Sequence, residues 1–282
     1  MVRTNFDLSK ITWFKVGGLA ENFSRTSTLL ELQHIVQSFP QNIIIGNTSN
    51  ILFSDKILQG CVIKLGSAFG KVEHLSNTKF RVGSSCLNTT LAKYMQGQGI
   101  SGMEFLATIP GTVGGNIAMN AGCFGSEIFD ILESVEILHK GKVLNVLKEE
   151  IPHTYRSATL PNGSIILSAI LNGVESTPAK IQSTINAFVK KRTDAQPQNV
   201  RTGGSTFKNP SGYTAWELIR KTGAHKLQVG GAKVSEKHSN FLINDDNATA
   251  MDIFTLGEQI RTTVLKETGI ALEWEIQRIG FE

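Results

Sequence analysis

Between Glu104 and Glu127 lie 22 residues without a charge, and five of them are glycine. An uncharged stretch of that length is near the roughly 20 residues of a membrane-spanning helix. Pro110, Asn116, Asn120 and the glycines argue strongly against that use, because each weakens or breaks a helix in lipid. The core of the stretch is ATIPGTVGGNIAMNAG, residues 107–122. Gly111, Gly114, Gly115 and Gly122 leave backbone N–H groups unscreened by side chains, and such a surface can approach a pyrophosphate closely. A packed glycine turn with no ligand accounts for the composition equally well.

The rest of the chain is that of an ordinary folded protein. Its 282 residues suggest about two domains. A chain this long buries about three quarters of its unfolded surface and needs no disulfide or metal to hold it. Hydrophobic residues make up 40% and charged residues 18%, which excludes a disordered chain and a coiled coil. The net charge is +4, and the longest basic run is Lys190-Lys191-Arg192. That is too little for a nucleic-acid footprint, though it suits an anionic small ligand. Cys61, Cys86 and Cys123 are far apart and form no CxxC pair, so neither zinc nor a disulfide framework is expected. MVRTNFDLSK at the start has no apolar core, so no signal peptide is expected. The expectation is a soluble cytoplasmic protein, a monomer with no nucleic-acid or membrane partner.

Helix and strand signals alternate, pointing to α/β or α+β. Thr28 and Glu31 make a capping box for a helix over 28–39, stopped by Pro40. Residues 42–45 and 61–65 read as strands, and Asn88 as the cap of a short helix that ends at Gly97. Residues 131–147 read as a hairpin around Lys140-Gly141. A helix opens at Thr177-Pro178, and others span 214–222 and 249–267. Residues 271–279 alternate, with Leu272, Trp274 and Ile276 facing one way. The polar segment 194–204 is the best domain boundary.

Two nucleotide motifs fail on context. GQGISG at 97–102 matches G-x-G-x-x-G but follows a helix, whereas a dinucleotide fingerprint follows a strand. GSAFGK at 66–71 is one residue short of a P-loop, and Val72 stands where Ser or Thr must bind magnesium. TGGSTFKNP at 202–210 places Ser205 beside Lys208 and Asn209 on a glycine-loosened backbone. A plain turn with a capping serine is the simpler account of it. Tyr155-Arg156 follow His153 in a polar loop, where a surface salt bridge is the usual role of an arginine. Glu275 lies on the polar side of its strand, where solvent exposure is the usual state. Periodicity marks none of these as catalytic.

Taken together and in order, the segments resemble the UDP-N-acetylenolpyruvoylglucosamine reductase family. ITWFKVGG at 11–18, GNTSNILFSD at 46–55, GMEFLATIPGTVGGNIAMNAG at 102–122 and TYRS at 154–157 carry the resemblance. So do GGSTFKNP at 203–210, VGGAKVSEKHSNFLIN at 229–244 and LEWEIQRIG at 272–280. The resemblance implies an α+β fold: a two-lobed FAD-binding domain of the vanillyl-alcohol-oxidase (PCMH) type over 1–197, with lobes of about 1–58 and 59–197. A C-terminal α/β substrate-binding domain would cover 198–282. Loops then hold the flavin, and no Rossmann fingerprint is needed. By resemblance, FAD is lined by Gly46, Asn47, Thr48, Ser49, Asn50, Gly111, Thr112, Gly114, Gly115, Asn116 and Ala118.

The implied reaction is NADPH-dependent reduction of an enolpyruvyl ether of a UDP-sugar, a step of peptidoglycan precursor synthesis, with NADPH and substrate using one cleft in turn. Hydride addition to the terminal carbon develops negative charge on the inner carbon and its carboxylate. A fixed cation and a hydrogen-bonding acid stabilise such charge. Arg156 and Glu275 resemble the family's residues for that task, and Ser205 resembles its proton donor. Tyr155, Lys208 and Asn209 are implied contacts for diphosphate or nicotinamide. The chain departs from the pattern at Thr48, where a glycine is usual, and at Ala158, where a serine is usual. A phosphate-contacting lysine before Gln196-Pro197 is missing, with Arg192 or Arg201 as substitute. The 49 residues from Arg156 to Ser205 leave no room for a tyrosine-bearing insertion, so the shorter class is expected. The alternatives are a related FAD oxidoreductase with another substrate, and a non-catalytic nucleotide-sugar binder.

Overall fold

A two-residue hairpin sets the register of the largest sheet. In the computed structural model, which describes residues 1–281, Lys140 and Gly141 both take positive φ, at 48° and 78°. That is the geometry whose twist matches two right-twisted strands. It pairs Leu132–His139 with Lys142–Leu147, with His139 opposite Lys142. Three more antiparallel strands complete this sheet, in the order Lys142–Leu147, Leu132–His139, Ile165–Asn172, Lys79–Gly83, Val72–Ser76. Along Ile165–Asn172 every second residue is buried, so Ile165, Leu167, Ala169 and Leu171 face the interior.

The chain forms two compact units, each discontinuous in sequence. The first comprises residues 1–3, 23–47 and 60–192. Besides the five-stranded sheet it holds a parallel pair, Asn42–Ile45 with part of Leu58–Leu65. Helix Leu29–Ser38 packs Leu32 and Ile35 inward. Thr28 caps it as expected, accepting from the Glu31 N–H at 3.2 Å. Helix Asn88–Gln98 buries Leu91, Ala92 and Met95. Here the structure corrects the sequence reading. Leu87 is the capping position, and Asn88 is the first helical residue, its side-chain amide donating to the Ile109 carbonyl at 3.0 Å. The helix also passes Gly97 and stops at Gly99, the residue with φ of 71°.

The second unit comprises residues 4–22, 48–59 and 193–281 of the described chain. Its antiparallel sheet runs Thr202–Ser205, Phe241–Asn244, Ala232–Val234, Gln228–Val229. Helices Ala215–Lys221 and Ala250–Thr268 supply apolar faces to a core shared with Phe14, Leu52, Phe207 and Trp274. The Thr249 side chain and Asp252 form a full capping box at the start of the longer helix. The 271–279 segment keeps its alternation, with Leu272, Trp274 and Ile276 buried. Only Gln277–Ile279 is a regular strand, parallel to Ile51–Phe53. The residues before it join 206–208 through single bonds, Lys208 N–H to Glu273 O and Glu275 N–H to Thr206 O, both 2.8 Å.

Among the described residues, no helix is long and apolar enough to cross a membrane. In the uncharged 105–126 stretch the helices are short, Glu104–Thr108 in part and Val113–Ala118, and Gly122–Cys123 then pairs with Ser126–Glu127 before Ile128–Ile131 begins.

Gly257 tests the packing of the second unit. A Cβ there would lie 2.2 Å from the ring of Trp274, whose indole N–H is held by Glu258 at 2.6 Å. Gly257→Ala should lower stability by about 1–3 kcal/mol despite alanine's better helix propensity. Gly97→Ala, which meets nothing within 4 Å, should raise it by about 0.5–1 kcal/mol. Urea unfolding of both variants measures the contrast.

Candidate active site

The glycine-rich turn is shaped by close approach rather than by flexibility. Thr112 caps helix Val113–Ala118. A Cβ on Gly114 would sit 2.8 Å from the Ser84 Cβ, and one on Gly46 would sit 2.7 Å from the Thr112 hydroxyl. The amides of Val113 and Gly114 donate to Cys86 O and Ser84 O, at 3.0 and 2.9 Å. The Gly114 N–H, which sequence alone offers to a pyrophosphate, is therefore spent on the protein. The Gly111 and Thr112 amides have no protein acceptor among the described residues. The buried Ser84 hydroxyl and the Asn116 side-chain N–H also lack a partner.

Beside this turn the first unit contains a cavity of about 700 Å³. That is in the range of small-molecule and cofactor sites, roughly 300–1,000 Å³. Of the expected flavin residues, Gly46, Asn47, Thr112, Gly114, Gly115 and Ala118 line it, whereas Gly111 and Asn116 do not, nor do Thr48, Ser49 and Asn50, which belong to the second unit. Sequence reasoning missed Arg25, Lys64, Ser67, Ser84 and Ser85, all of which line it too. One signal was present: GSAFGK at 66–71, rejected as a P-loop, supplies Gly66, Ser67 and Gly70 to the wall. Cys86 also lines the cavity, and burial raises its thiol to about 11, so it stays protonated at neutral pH.

Arg156 is held by its own unit. His153–Thr154 and Ser157–Ala158 pair as a minimal hairpin, which leaves Tyr155 and Arg156 at the turn. Arg156 adopts φ of 56°. Its guanidinium donates to the Gly122 carbonyl at 2.6 Å and lies over the Tyr155 ring at 4.8 Å. Asn120, fully buried, donates to Thr154 O at 3.1 Å and anchors the hairpin. Ala158 lines the cavity and Ser157 does not. Neighbouring strand residues point to opposite faces, so the Ser157 hydroxyl does not replace the missing one.

The second unit gathers another set. Gly203 packs on the Phe14 ring, where a Cβ would fall 2.4 Å from Cε2. Gly204 takes φ of 82° at a register shift in the Thr202–Ser205 strand, a bulge that re-aims Ser205. Glu275 donates its N–H to the carbonyl of Thr206, the next residue after Ser205. Asn50 clasps the same segment from both sides, donating to Glu275 O and accepting from Gln277 N–H, both at 3.0 Å. Glu275 is half-buried between the exposed Glu273 and Gln277, unlike the solvent-facing carboxylate its alternation suggests. Lys208 and Asn209 have structural partners. The Lys208 ammonium lies 3.6 Å from Glu273, and the Asn209 carbonyl accepts from Ala215 N–H at 2.9 Å, capping that helix.

These features, together with the matches that follow, place the chain among the FAD-binding proteins. A profile described as "FAD binding domain" matches residues 25–146, and "UDP-N-acetylenolpyruvoylglucosamine reductase, C-terminal domain" matches 196–279. The reductase of Rickettsia massiliae is 44% identical over 282 residues, covering 99% of this chain and 95% of that one. That of Paramagnetospirillum magneticum is 42% identical over 284 residues, covering 99% and 92%. The crystal structure of the Thermus caldophilus reductase superposes with a TM-score of 0.88 at 32% identity, covering 99% of this chain and all of the other. The chain belongs to the UDP-N-acetylenolpyruvoylglucosamine reductase family, FAD-binding oxidoreductases with a PCMH-type flavin domain and a family-specific C-terminal domain. FAD fits the residues present: the unpartnered Thr112 amide and the orphaned Ser84 hydroxyl stand in the lining of one cavity of cofactor size.

Thr48 carries the clearest departure. It sits at φ of 55°, where a β-branched residue is an outlier, and its hydroxyl donates to Ile11 O at 2.6 Å. The conformation costs roughly 1–2 kcal/mol, and the bond returns about 1 kcal/mol. Thr48→Ala keeps the strain and loses the bond. Thr48→Gly removes both, at about 0.5–1 kcal/mol of backbone entropy. Urea midpoints should therefore place Thr48→Gly above Thr48→Ala, and the reverse order would deny the strain.

Proposed function

We propose that the chain reduces the enolpyruvyl ether of UDP-N-acetylglucosamine to UDP-N-acetylmuramate, using NADPH, in the cytoplasm and as a monomer. The observation that carries the reading is family membership along the whole chain, including the C-terminal domain at 196–279. Residues 1–197 are proposed to serve FAD and 198–282 the substrate. When bound, FAD would supply the hydride transfer between NADPH and the terminal vinyl carbon of the substrate.

The remaining work falls to side chains. As the terminal carbon becomes a methyl group, the former π electrons collect on the inner carbon and spread into its carboxylate. Arg156, oriented by its bond to Gly122 O, is proposed to bring its positive charge to that carboxylate. Glu275 is proposed as the second stabilising group, and Asn50 holds its backbone at a fixed level. Ser205 is proposed to give its proton to the inner carbon, and its alkoxide regains one from water. A serine hydroxyl is a weak acid, and it serves here because the carbanion is a strong base. The sum is one hydride and one proton added across one C=C bond. Tyr155, Lys208 and Asn209 are proposed contacts for the diphosphate or nicotinamide. For Asn209 this leaves only its side-chain N–H groups, since its carbonyl caps a helix. Arg192 or Arg201 is proposed to take the place of the missing lysine.

Steady-state and single-turnover kinetics test the assignment. Ser205→Ala should lower turnover by about 10²–10⁴, while the rate at which NADPH bleaches the flavin stays near wild type. Equal losses in both half-reactions would remove Ser205 from the proton-donor role.

A further inference from the structure

The cavity of the first unit has a one-sided charge. Its lining includes Arg25 and Lys64 and not one carboxylate. Arg25 lies in strand Leu19–Thr26 and Lys64 in strand Leu58–Leu65, which are neighbours in one sheet. Lys64 is in turn the register partner of Ile45, another residue of the lining. Strand alternation explains the direction. Ile63 and Leu65 enter the apolar core with Leu32 and Leu167, so Lys64 is turned to the opposite face, toward the cavity. Among the described residues neither Arg25 nor Lys64 has a carboxylate partner. Two like charges side by side at a cavity wall repel each other unless an anion joins them. The Lys64 ammonium shows this: burial first, and then the Arg25 charge, draw it below the ordinary lysine range.

We propose that Arg25 and Lys64 are a diphosphate clamp for the ADP half of FAD, selecting the dinucleotide over flavins that lack it. The inference rests on the flavin reading of the cavity and adds to it. The glycine turn gives shape and a few backbone donors, while these two side chains give charge. Ser67 and Ser85 stand on the same wall. The Ser85 hydroxyl already donates to Gly66 O at 2.7 Å, which fixes the 66–70 segment beside Lys64. A charge-assisted hydrogen bond contributes enough that losing one should weaken binding about tenfold or more.

The test is FAD dissociation from the full-length holoenzyme, read by recovery of flavin fluorescence on dilution. Arg25→Gln and Lys64→Gln should each raise the Kd for FAD about tenfold, and Lys64→Arg should restore most of it. The dependence of Kd on salt should flatten in the double variant. In wild type, ADP should displace FAD at least tenfold better than adenosine does, and the double variant should lose that preference. A double variant that binds FAD within twofold of wild type overturns the proposal, as does adenosine displacing FAD as well as ADP. If the variants fold poorly, the ADP and adenosine comparison on wild type decides alone. Wild type that holds no FAD at all overturns the flavin reading itself, a result distinct from any of these.

Discussion

The wall of the first unit's cavity depends on how closely two stretches of backbone can meet. Gly46 abuts Thr112, Gly114 abuts Ser84, and no side-chain carbon fits between either pair. The amides of Val113 and Gly114 lock this contact by donating to Cys86 and Ser84. Three other parts of the first unit bear on that meeting. The five-stranded sheet carries Gly83 into Ser84, helix Asn88–Gln98 is tied by Asn88 to Ile109 just before the turn, and the Arg156 hairpin hangs from Asn120 just after it. A single β-carbon at Gly114 would move a wall of the cavity, not merely fill a space.

The second unit uses a different device for a similar end. Asn50, Thr206 and Glu275 share backbone bonds, so the segment bearing Ser205 and the segment bearing Glu275 are fixed to each other through the main chain. Trp274 beneath them is wedged between Phe207 and Phe254 and hydrogen-bonded to Glu258. Rigid support of this kind keeps catalytic groups from drifting, which matters because displacements of about 1 Å can cost about a hundredfold in rate. Thr48 is a strained, β-branched point in this frame, and its hydroxyl bond to Ile11 offsets part of the strain.

Local signals in the sequence proved legible where the physics is local. The Thr28 and Thr249 caps, the Lys140-Gly141 hairpin and the burial of Leu272, Trp274 and Ile276 follow from short-range rules. Asn88 misled, because its side chain serves a partner 21 residues away rather than its own helix. Of the candidate site, the glycine loops were visible as motifs. Arg25 and Lys64 were not, since their meaning comes from two strands placed side by side and a cavity without acid. Likewise, that Val113 and Gly114 spend their amides internally appears only once Ser84 and Cys86 are packed against them.

Passage of reducing equivalents from NADPH through bound FAD to an enolpyruvyl UDP-sugar is the proposed activity of this chain. An anaerobic visible titration of the purified protein measures it most directly. The expected result is a yellow protein that bleaches with one equivalent of NADPH and recolours with one equivalent of UDP-N-acetylglucosamine enolpyruvate. A protein that bleaches but never recolours with that substrate would contradict this activity, as would one that holds no flavin after reconstitution with FAD.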